Sequence, residues 1–366
     1  MKPILVVNSG SSSVKYQLID IDSSTALKAG LMERVTDHSV AFEQMLAELA
    51  GTHPIAIGHR VVHGGAEFSQ PTLITQQIIE SIEALSELAP LHNPGNVMGI
   101  RAALAAYPDL PQVAVFDTAF HQTMPASSYR YAIDAELERK YQIRRYGFHG
   151  TSHSYVSRKA AEHLSFEPQN FNAIVLHLGN GASACAIKNG KSFDTSMGLT
   201  PLQGLVMGSR SGDIDPAIIS YLARVANLSI QEIDDSLNKH SGLKGMTGDA
   251  DLRDIQQRAD SGDQVAIDAL AVYVQRIRHY LGAYLAELGR VDAVIFTAGV
   301  GENSSIIRER VLANLQQLGI ELDESLNESK TRDIRTISSA SSKVTVLVVP
   351  TNEELEIALQ TAKFAG

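Results

Sequence analysis

The chain has 366 residues, 44% hydrophobic and 20% charged, so it is long enough for two globular domains and fits neither a disordered nor a fibrous class. Its formal net charge of -10 would repel nucleic acid and anionic membranes, and an anionic substrate would need local cations in order to bind. Cys185 is the only cysteine, which excludes an intrachain disulfide and a cysteine-based metal site and fits a reducing cytoplasm.

No segment predicts export or insertion into a membrane. The first apolar run is interrupted by Asn8 and Gly10, which makes it too short for the core of a signal peptide. No apolar stretch approaches the roughly 18 to 20 residues that span a bilayer. We therefore expect a soluble, cytoplasmic protein.

Five short apolar runs that end abruptly in polar or glycine residues predict buried strands. In chain order they are ILVV before Asn8, VAVF before Asp117, AIVLHL before Gly179, AVIF before Thr297 and VTVLVV before Pro350. Helical patterns lie between them at 76–88, 268–288 and 304–318. This alternation predicts an α/β fold with mostly parallel or mixed sheets. Because ligands collect beyond the carboxyl ends of such strands, we expect the functional site at these polar endings.

Two segments far apart in the sequence have a similar pattern. ILVVNSGSSSVKYQLID and IVLHLGNGASACAIKNG both contain an apolar strand, a turn of small residues and a second strand of alternating character. Each predicts a β-hairpin whose turn carries many backbone N–H donors. The similarity favours a duplicated domain with a cleft between the copies, although a strand followed by a glycine turn is also common by coincidence.

Three glycine-rich turns follow predicted strands. They are GSSS at residues 10–13 with Lys15 beyond it, GNG at 179–181, and GVGEN at 299–303. Such turns can approach phosphate oxygens closely, although a single one is more often a plain tight turn. Three together favour a nucleotide. The sequence has neither a P-loop nor the protein-kinase motifs, and the turn at 299–303 lacks the third glycine of a dinucleotide fingerprint.

Two arginines stand among small residues. Arg60 lies in GHRVVHGG and Arg210 in MGSRSGD. An arginine in a loop of small residues has no apolar surface to cover, so its guanidinium is available to a carboxylate or phosphate. A structural ion pair of Arg210 with Asp213 or Asp215 is the alternative.

Acidic residues and histidines offer further candidates. Asp117 follows a predicted buried strand, which is a recurrent metal-binding or catalytic position. Thr351 and Glu354 have the spacing of a capping box, so the neighbouring Glu353 could merely complement a helix dipole. Five histidines lie in polar or small-residue company without zinc-site spacing, so hydrogen-bonded structure is the default for each: His92, His121, His149, His153 and His177.

Nearly the whole chain resembles the acetate kinase family, whose members have an actin-like, sugar-kinase-like fold. The matching strings occur in order and include NSGSSSVKY, GHRVVHGG, VAVFDTAFHQTMP, RRYGFHGTSH, HLGNGAS, DTSMGLTPLQGLVMGSRSGDIDP, FTAGVGEN and PTNEELEIA. The resemblance implies two ribonuclease-H-like domains with a central nucleotide cleft. The expected lobes are residues 1–118 plus 352–366, which would hold acyl substrate and metal, and 119–351, which would bind the nucleotide. It also implies a homodimer.

The resemblance also implies roles for individual residues. Asp117, His149, Arg210 and Arg60 would be catalytic, and Asn8 and Glu353 would bind Mg²⁺, with Mn²⁺ as an alternative. Arg60 would also hold the acyl carboxylate, and Val62, Leu91, Phe148 and Pro201 would enclose its methyl group. ATP or ADP would be bound by Lys15, Ser11, Ser13, His177, Leu178, Gly179, Asn180, Gly181, Asp251, Leu252, Arg253, Gly299, Val300, Gly301, Glu302 and Asn303.

Two stretches depart from the family pattern. The segment from Glu33 to Gly58 is some thirty residues shorter than the family implies, which we expect to remove a peripheral helix. The stretch before Asp251 is about one residue short, so the register of Asp251 and Arg253 is the least certain part of the site.

The expected reaction is direct, in-line transfer of the γ-phosphoryl group of ATP to acetate, giving acetyl phosphate. Acetate is already an anion at neutral pH, so cations that neutralise charge matter more than a base, and we expect Asp117 to position metal and water. The alternatives are a propionate or broader short-chain fatty-acid kinase, which Val62 disfavours, an ATP-hydrolysing actin-like polymer, and a binding module without catalysis.

Overall fold

The computed structural model describes residues 2–10, 13–33, 35, 38–90 and 92–365, apart from the side chains of His38 and Ser39. Two compact units divide the chain. The first comprises Met1–Gln122, Phe148–Tyr155 and Asn352–Gly366, and the second comprises Thr123–Gly147 and Val156–Thr351.

Each unit contains a six-stranded sheet. The first sheet is built from β1 (Pro3–Ser9), β2 (Ser13–Asp20), β3 (Thr25–Glu33), β4 (Ala56–Val61), β5 (Thr72–Leu73) and β6 (Gln112–Phe116). The second is built from β7 (Ala173–Leu178), β8 (Ala182–Lys188), β9 (Lys191–Thr195), β10 (Ala293–Thr297), β11 (Arg335–Thr336) and β12 (Thr345–Val348). All five predicted strands are confirmed, as β1, β6, β7, β10 and β12.

Helices surround the sheets. They are α1 (His38–Glu48), α2 (Gln76–Ala84), α3 (Asn93–Ala106), α4 (Ala126–Tyr129), α5 (Ala135–Tyr141), α6 (Gly150–His163), α7 (Ala217–Val225), α8 (Ile230–Lys239), α9 (Gly242–Thr247), α10 (Leu252–Asp260), α11 (Gln264–Leu288), α12 (Ala298–Asn303), α13 (Ser305–Leu312), α14 (Glu324–Asn327) and α15 (Glu353–Ala362). Short 3₁₀ helices cover Leu85–Glu87, Ala119–Thr123, Pro168–Asn170 and Gln316–Leu318. Within the described residues, none of the helices has the length and apolar character needed to cross a bilayer.

The two sheets have the same topology. The first has the order β3-β2-β1-β4-β6-β5, and the second, taken from the corresponding edge, has the order β9-β8-β7-β10-β12-β11. In each sheet three antiparallel strands adjoin parallel strands, and the last edge strand is again antiparallel. The predicted hairpins are β1–β2 and β7–β8, which occupy equivalent positions. This equivalence confirms that the similar sequence segments mark a duplicated fold.

The structure corrects the expected setting of Arg60, because GHRV belongs to the central strand β4 and not to a loop. Two tertiary contacts account for the polar and small residues in this strand. His59, 2% exposed, has its Nε2 2.9 Å from Oε1 of Gln112 on β6. Gly58 faces α15, where an added Cβ would overlap the hydroxyl of Thr361. Strand β4 is therefore stabilised by its neighbours and lacks the apolar run that would have predicted it.

Two predicted helices end earlier than their patterns. Helix α2 ends at Ala84 and continues as the 3₁₀ helix Leu85–Glu87, and α13 ends at Leu312. Asn314, with φ 61°, occupies the left-handed region that stops a right-handed helix before Gln316–Leu318.

Candidate active site

Arg60 and Asp117 form a partly buried, bidentate ion pair in the first unit. Nε of Arg60 donates to Oδ1 of Asp117 at 3.0 Å, and Nη2 donates to Oδ2 at 2.6 Å. Asp117 is 1% exposed. Burial alone would lower the pKa of Arg60, but the charges of Asp117 and Glu353 outweigh it and raise the pKa above its ordinary value. The guanidinium therefore stays charged at any physiological pH.

Three parallel strands bring Asn8, Arg60 and Asp117 to one edge of the first sheet. Val7 on β1 pairs with His59 on β4, and Arg60 pairs with Val115 on β6. Asn8 directly follows Val7 on β1, and Asp117 directly follows Phe116, the last residue of β6. This is the arrangement that the polar strand endings predicted.

The start of α15 contributes Glu353 to the same unit. The predicted capping box between Thr351 and Glu354 is wrong, because Asn352 is the N-cap and its side chain accepts from the Leu355 N–H at 2.9 Å. Glu354 instead forms an ion pair with Lys15. Helix α15 packs against β4, β1 and β6, so its first turn lies with the first sheet.

The electrostatics around Glu353 suit a cation. Burial, together with the nearby charges of Asp117 and Glu354, raises the pKa of Glu353 to about 7 against the opposing effect of Arg60. Among the described residues, no cluster of three or more His, Cys, Asp or Glu side chains is arranged to hold a metal ion. The Asn8 amide and the Glu353 carboxylate nevertheless fit Mg²⁺, which takes oxygen ligands, usually keeps several waters and needs only one or two carboxylates beside substrate phosphates.

Phe148 and Val62 are each held by contacts within the first unit. Phe148 is 2% exposed, its ring lies edge-on to that of His63 with centroids 5.5 Å apart, and its carbonyl is 3.0 Å from Nε2 of His121. Val62 is 7% exposed, and its N–H donates to Oδ1 of Asn96 at 3.1 Å. Leu91, which the resemblance assigns to the same acyl pocket, lies outside the described residues, as does Ser11 of the first glycine-rich turn.

His149 has an unusual backbone conformation directly before α6. Its φ of 57° lies in the left-handed region, which non-glycine residues adopt uncommonly and often at functional sites. The next residue, Gly150, donates its N–H to the carbonyl of Asp117 at 2.9 Å, and an added Cβ there would overlap that carbonyl. The hydrogen bond from Gly150 holds the His149 backbone beside that of Asp117, and only glycine at position 150 allows this close approach.

Arg210 has a different environment in the second unit. Its Nη1 donates to the carbonyl of Pro201 at 3.1 Å, and burial lowers its pKa. The alternative ion pairs are not formed, because Asp213 accepts from Tyr280 and lies 3.6 Å from Arg276, while Asp215 accepts from the Ala217 N–H. Arg210 therefore has no carboxylate partner among the described residues, which leaves a partly buried cation available to an anion.

A cavity of about 850 Å³ lies within the second unit. It is lined by residues from all three nucleotide stretches predicted there, namely Gly179, Asn180, Asp251, Leu252, Arg253, Gly299, Val300 and Asn303. Asp251, although its register was the least certain, caps α10 and pairs with Arg253 at 2.6 Å. The structure thus brings together segments separated by more than a hundred residues. His177, Leu178, Gly181, Gly301 and Glu302 lie in the same turns or strands but are not lining residues.

Glu302 stabilises the start of the short helix α12 and does not line the cavity. The structure corrects the predicted glycine-rich turn at 299–303, because these residues belong to that helix. Its Oε1 accepts the N–H groups of Ala298 at 2.9 Å and Thr351 at 3.1 Å. Arg308, only 1% exposed, donates to the carbonyls of Gly301 and Glu302 at 2.9 and 3.1 Å, and its other nitrogens donate to Asn327. These hydrogen bonds hold α12 in place beside the cavity.

Several lining residues were not predicted from the sequence. They are Gly208, Leu243, Ala250, Gln256, Tyr273, Ser304, Ser305 and Ile306. Ser304 and Ser305 directly follow the GVGEN turn, so their position was a usable signal. Gln256 and Tyr273 lie on α10 and α11 among ordinary helical residues, and nothing in their local sequence marks them.

Comparison with known proteins supplies the family. The Acetokinase family profile matches residues 36–359. The acetate kinase of Clavibacter sepedonicus is 53% identical over 395 aligned residues that cover all of both chains. Since this chain has 366 residues, at least 29 aligned positions have no residue in it, in agreement with a shortened segment.

Solved structures agree with this assignment. The crystal structure of Porphyromonas gingivalis acetate kinase matches with a TM-score of 0.96 and 41% identity over 100% of both chains. A propionate kinase from Francisella tularensis matches with a TM-score of 0.95 and 44% identity over 99% of this chain and 100% of its own. The predicted α/β fold with two actin-like domains is thereby confirmed, and the chain belongs to the acetokinase family.

Proposed function

We propose that the protein transfers the γ-phosphoryl group of ATP to acetate, forming acetyl phosphate and ADP, and that it also catalyses the reverse reaction. The observation that carries this proposal is the cavity in the second unit, lined by all three of the glycine-rich or acidic stretches predicted there for a nucleotide. Acetate kinases at about half identity over their full length support the carboxylate as acceptor.

Arg60 is the proposed ligand of the acetate carboxylate. Asp117 occupies its Nε and Nη2, while Nη1 has no hydrogen bond within the described residues and can donate to a substrate oxygen. Asp117 therefore has a positioning role for Arg60 in addition to any effect on metal and water. Val62, Leu91, Phe148 and Pro201 are the proposed apolar surroundings of the methyl group.

The acetate carboxylate needs no general base, because carboxyl groups of this kind titrate near pH 4 to 5. One of its oxygens forms the new bond to the γ-phosphorus while the bond from that phosphorus to the β,γ-bridging oxygen breaks, and ADP leaves with the electron pair. Arg210 and His149 are the proposed partners of the equatorial phosphoryl oxygens, where the negative charge is spread. We propose direct transfer, which inversion at a chiral phosphorus would support and a kinetically competent phosphoenzyme would contradict.

Mg²⁺ is the proposed metal, with Asn8 and Glu353 as its protein ligands. When bound, it would neutralise charge on the nucleotide phosphates. Lys15 and Ser13, with Ser11 beside them, are the proposed phosphate contacts of the first unit. Asp117→Asn assayed across magnesium concentrations tests the role of Asp117: activity recovered by added metal supports metal positioning, whereas loss of one limb of the pH profile without such recovery indicates acid–base chemistry.

Propionate is the second candidate acceptor, and the match to a propionate kinase is the observation that favours it. One methylene in an apolar pocket changes discrimination by only about 1 to 3 kcal/mol, so the two substrates are close competitors. Val62 favours the smaller acid because its side chain occupies space that propionate would need. Comparison of kcat/KM for the C2, C3 and C4 acids decides between them.

The direct test of the function is chemical trapping. Protein, magnesium, ATP and acetate are incubated with hydroxylamine, and acetohydroxamate is expected. ATP hydrolysis without hydroxamate would contradict the proposal. We also propose that the protein is a homodimer and that it acts in the cytoplasm. Light scattering of the purified protein measures its molar mass and so tests the dimer.

A further inference from the structure

Asp213 closes the base of the loop that carries Arg210. The N–H of Gly204 donates to Oδ1 of Asp213 at 3.0 Å, and the N–H of Asp213 donates to the carbonyl of Gly204 at 3.0 Å. Gly212, with φ 70°, lies in the left-handed region, and an added Cβ there would overlap the carbonyl of Gly204. The loop at 204–213 is therefore held together at its two ends.

Helix α11 holds the second oxygen of the Asp213 carboxylate. The hydroxyl of Tyr280 donates to Oδ2 at 2.8 Å, and Nη1 of Arg276, one turn earlier on the helix, lies 3.6 Å from the same oxygen. Burial and the charge of Asp213 raise the pKa of Tyr280, so its hydroxyl remains a donor at neutral pH. Because α11 packs against β7 and β8, these contacts join the loop to the second sheet.

Arg210 itself is oriented by backbone groups. Its Nη1 donates to the carbonyl of Pro201 at 3.1 Å, and its own carbonyl accepts the N–H of Met207 at 3.2 Å. Since no carboxylate among the described residues holds the guanidinium, its position follows that of the loop backbone. Asp213 therefore acts on Arg210 through the base of the loop and not as an ion-pair partner.

We propose that Asp213 and Tyr280 are positioning residues that hold the Arg210 guanidinium where it can stabilise the transferring phosphoryl group. This inference rests on the proposed role of Arg210 in the reaction. Phosphoryl transfer depends mainly on positioning and electrostatic stabilisation, so a small displacement of the guanidinium should slow the chemical step.

The test measures kcat and the KM for ATP by the hydroxamate assay in four variants. Asp213→Ala removes the carboxylate, Tyr280→Phe removes the hydroxyl that holds it, and Asp213→Asn is the conservative replacement. Tyr284→Phe is the matched control, because Tyr284 lies one turn further along α11, is 1% exposed and has a hydroxyl that makes no hydrogen bond within the described residues.

Tyr280→Phe is expected to lower kcat about tenfold and Asp213→Ala about a hundredfold, because a misplacement of about 1 Å can cost that much. Asp213→Asn should stay within about threefold of the wild type, since its amide oxygen can still accept from Gly204 and its amide nitrogen can donate to the Tyr280 oxygen. Tyr284→Phe should retain the wild-type kcat.

The KM for ATP is expected to stay unchanged in Tyr280→Phe. Gly208, the residue of this loop that lines the nucleotide cavity, has its own backbone hydrogen bonds with Asn180 at 2.9 Å and Lys244 at 2.8 Å. These bonds do not involve Asp213, so the loss should appear in kcat and not in nucleotide binding.

A double-mutant cycle separates positioning of Arg210 from a general structural effect. In an Arg210→Ala background, measured at high protein concentration, Tyr280→Phe should cause no further loss of kcat, because there is no guanidinium left to misplace. A general loosening of the fold would instead lower kcat by the same factor in both backgrounds. The thermal midpoint of each variant shows whether it is folded at the assay temperature.

Three results would overturn the inference: the wild-type kcat in Tyr280→Phe, a loss that appears only in the KM for ATP, or an equal loss of kcat in both backgrounds. If Asp213→Ala does not fold, Tyr280→Phe and Asp213→Asn still decide the outcome. Absence of hydroxamate from the wild type would overturn the proposed function and this inference with it. An active wild type with an equally active Tyr280→Phe would overturn this inference alone.

Discussion

Arg60 and Arg210 show how the surroundings of a residue separate two arginines that look alike in the sequence. Arg60 is neutralised by Asp117 in a bidentate pair, whereas Arg210 donates to a backbone carbonyl and has no carboxylate partner in the described part of the chain. A partly buried guanidinium without a carboxylate partner attracts an anion strongly. Arg210 is accordingly the side chain on which we expect turnover to depend most.

Replacing Arg210 by alanine is expected to leave the fold intact and to reduce turnover at least a hundredfold, and on the order of 10³ to 10⁵ by analogy with arginine fingers. The measurement is kcat by the hydroxamate assay together with the thermal midpoint. Arg139→Ala on the exposed face of α5 is the control and should retain full activity. Near-normal kinetics of Arg210→Ala would remove this residue from the mechanism.

Because of buried His59, we expect the free energy of unfolding to depend on pH. Burial lowers the pKa of His59 to about 4, although the hydrogen bond with Gln112 opposes the shift. Between pH 6.5 and 4 the unfolded chain binds a proton that the folded chain excludes, so stability is complete above pH 6.5 and falls as the pH decreases. This group alone accounts for a loss of about 3 kcal/mol across that interval.

The measurement is the free energy of unfolding from urea titrations at pH 7, 5.5 and 4, for the wild type and for His59→Gln. The difference between the two proteins should shrink as the pH falls, because the variant has no imidazole to protonate. Parallel pH profiles would show that His59 is not excluded from protonation in the folded state.

At the level of elements, the nucleotide cavity depends on the close approach of two turns. Gly208 donates its N–H to the carbonyl of Asn180 at 2.9 Å, and an added Cβ would overlap the side-chain oxygen of Asn180. A side chain at position 208 must therefore displace the side chain of Asn180. Both turns line the cavity, so ligand binding should suffer along with packing.

Gly208→Ala is expected to raise the KM for ATP about tenfold or more and to cost about 1 to 3 kcal/mol of stability through overpacking. Gly282→Ala is the matched control, since the glycine lies in α11 with open space at its Cβ. The control should keep its KM and gain up to about 1 kcal/mol from helix propensity. Kinetics and thermal unfolding of the two variants, compared side by side, check this prediction.

Considered as a whole, the molecule contains one sheet topology twice, and the two copies have come to carry different groups. The first sheet presents Asn8, Arg60 and Asp117 at its parallel edge, while the second presents glycine-rich turns around a cavity. In both sheets, the antiparallel hairpin adjoins parallel strands, and the candidate site residues lie at or beyond the carboxyl ends of those strands.

Amide hydrogen exchange can test this assignment across the whole chain. ADP is expected to slow exchange at residues 179–181, 242–256 and 299–306, because binding suppresses local opening of the segments that line the cavity. Helices α7 and α8 should be unaffected. Gly208→Ala serves as the control and should lose the protection at a fixed ADP concentration. Protection confined to the first unit would contradict a nucleotide site in the second.

The residue sequence alone was sufficient for the α/β class, the five apolar strands and the duplicated hairpins, because apolar runs and glycine turns are local patterns. The local sequence also marked Arg60, Asp117, Arg210 and the glycine-rich turns as candidates, and the family resemblance gave them roles. The roles of these residues stay predictions.

Only the tertiary structure decided which groups are paired and which are not. Strand β4 was missed because its polar and small residues are accommodated by Gln112 and α15, which are distant in the sequence. For Glu353, the sequence left open whether it belongs to a capping box or to a metal site, and only the structure showed that Asn352 is the N-cap. Gln256 and Tyr273 can be recognised as cavity-lining residues only because α10 and α11 place them at one cavity. Burial and hydrogen bonding are properties of contacts between distant segments, which no local pattern encodes.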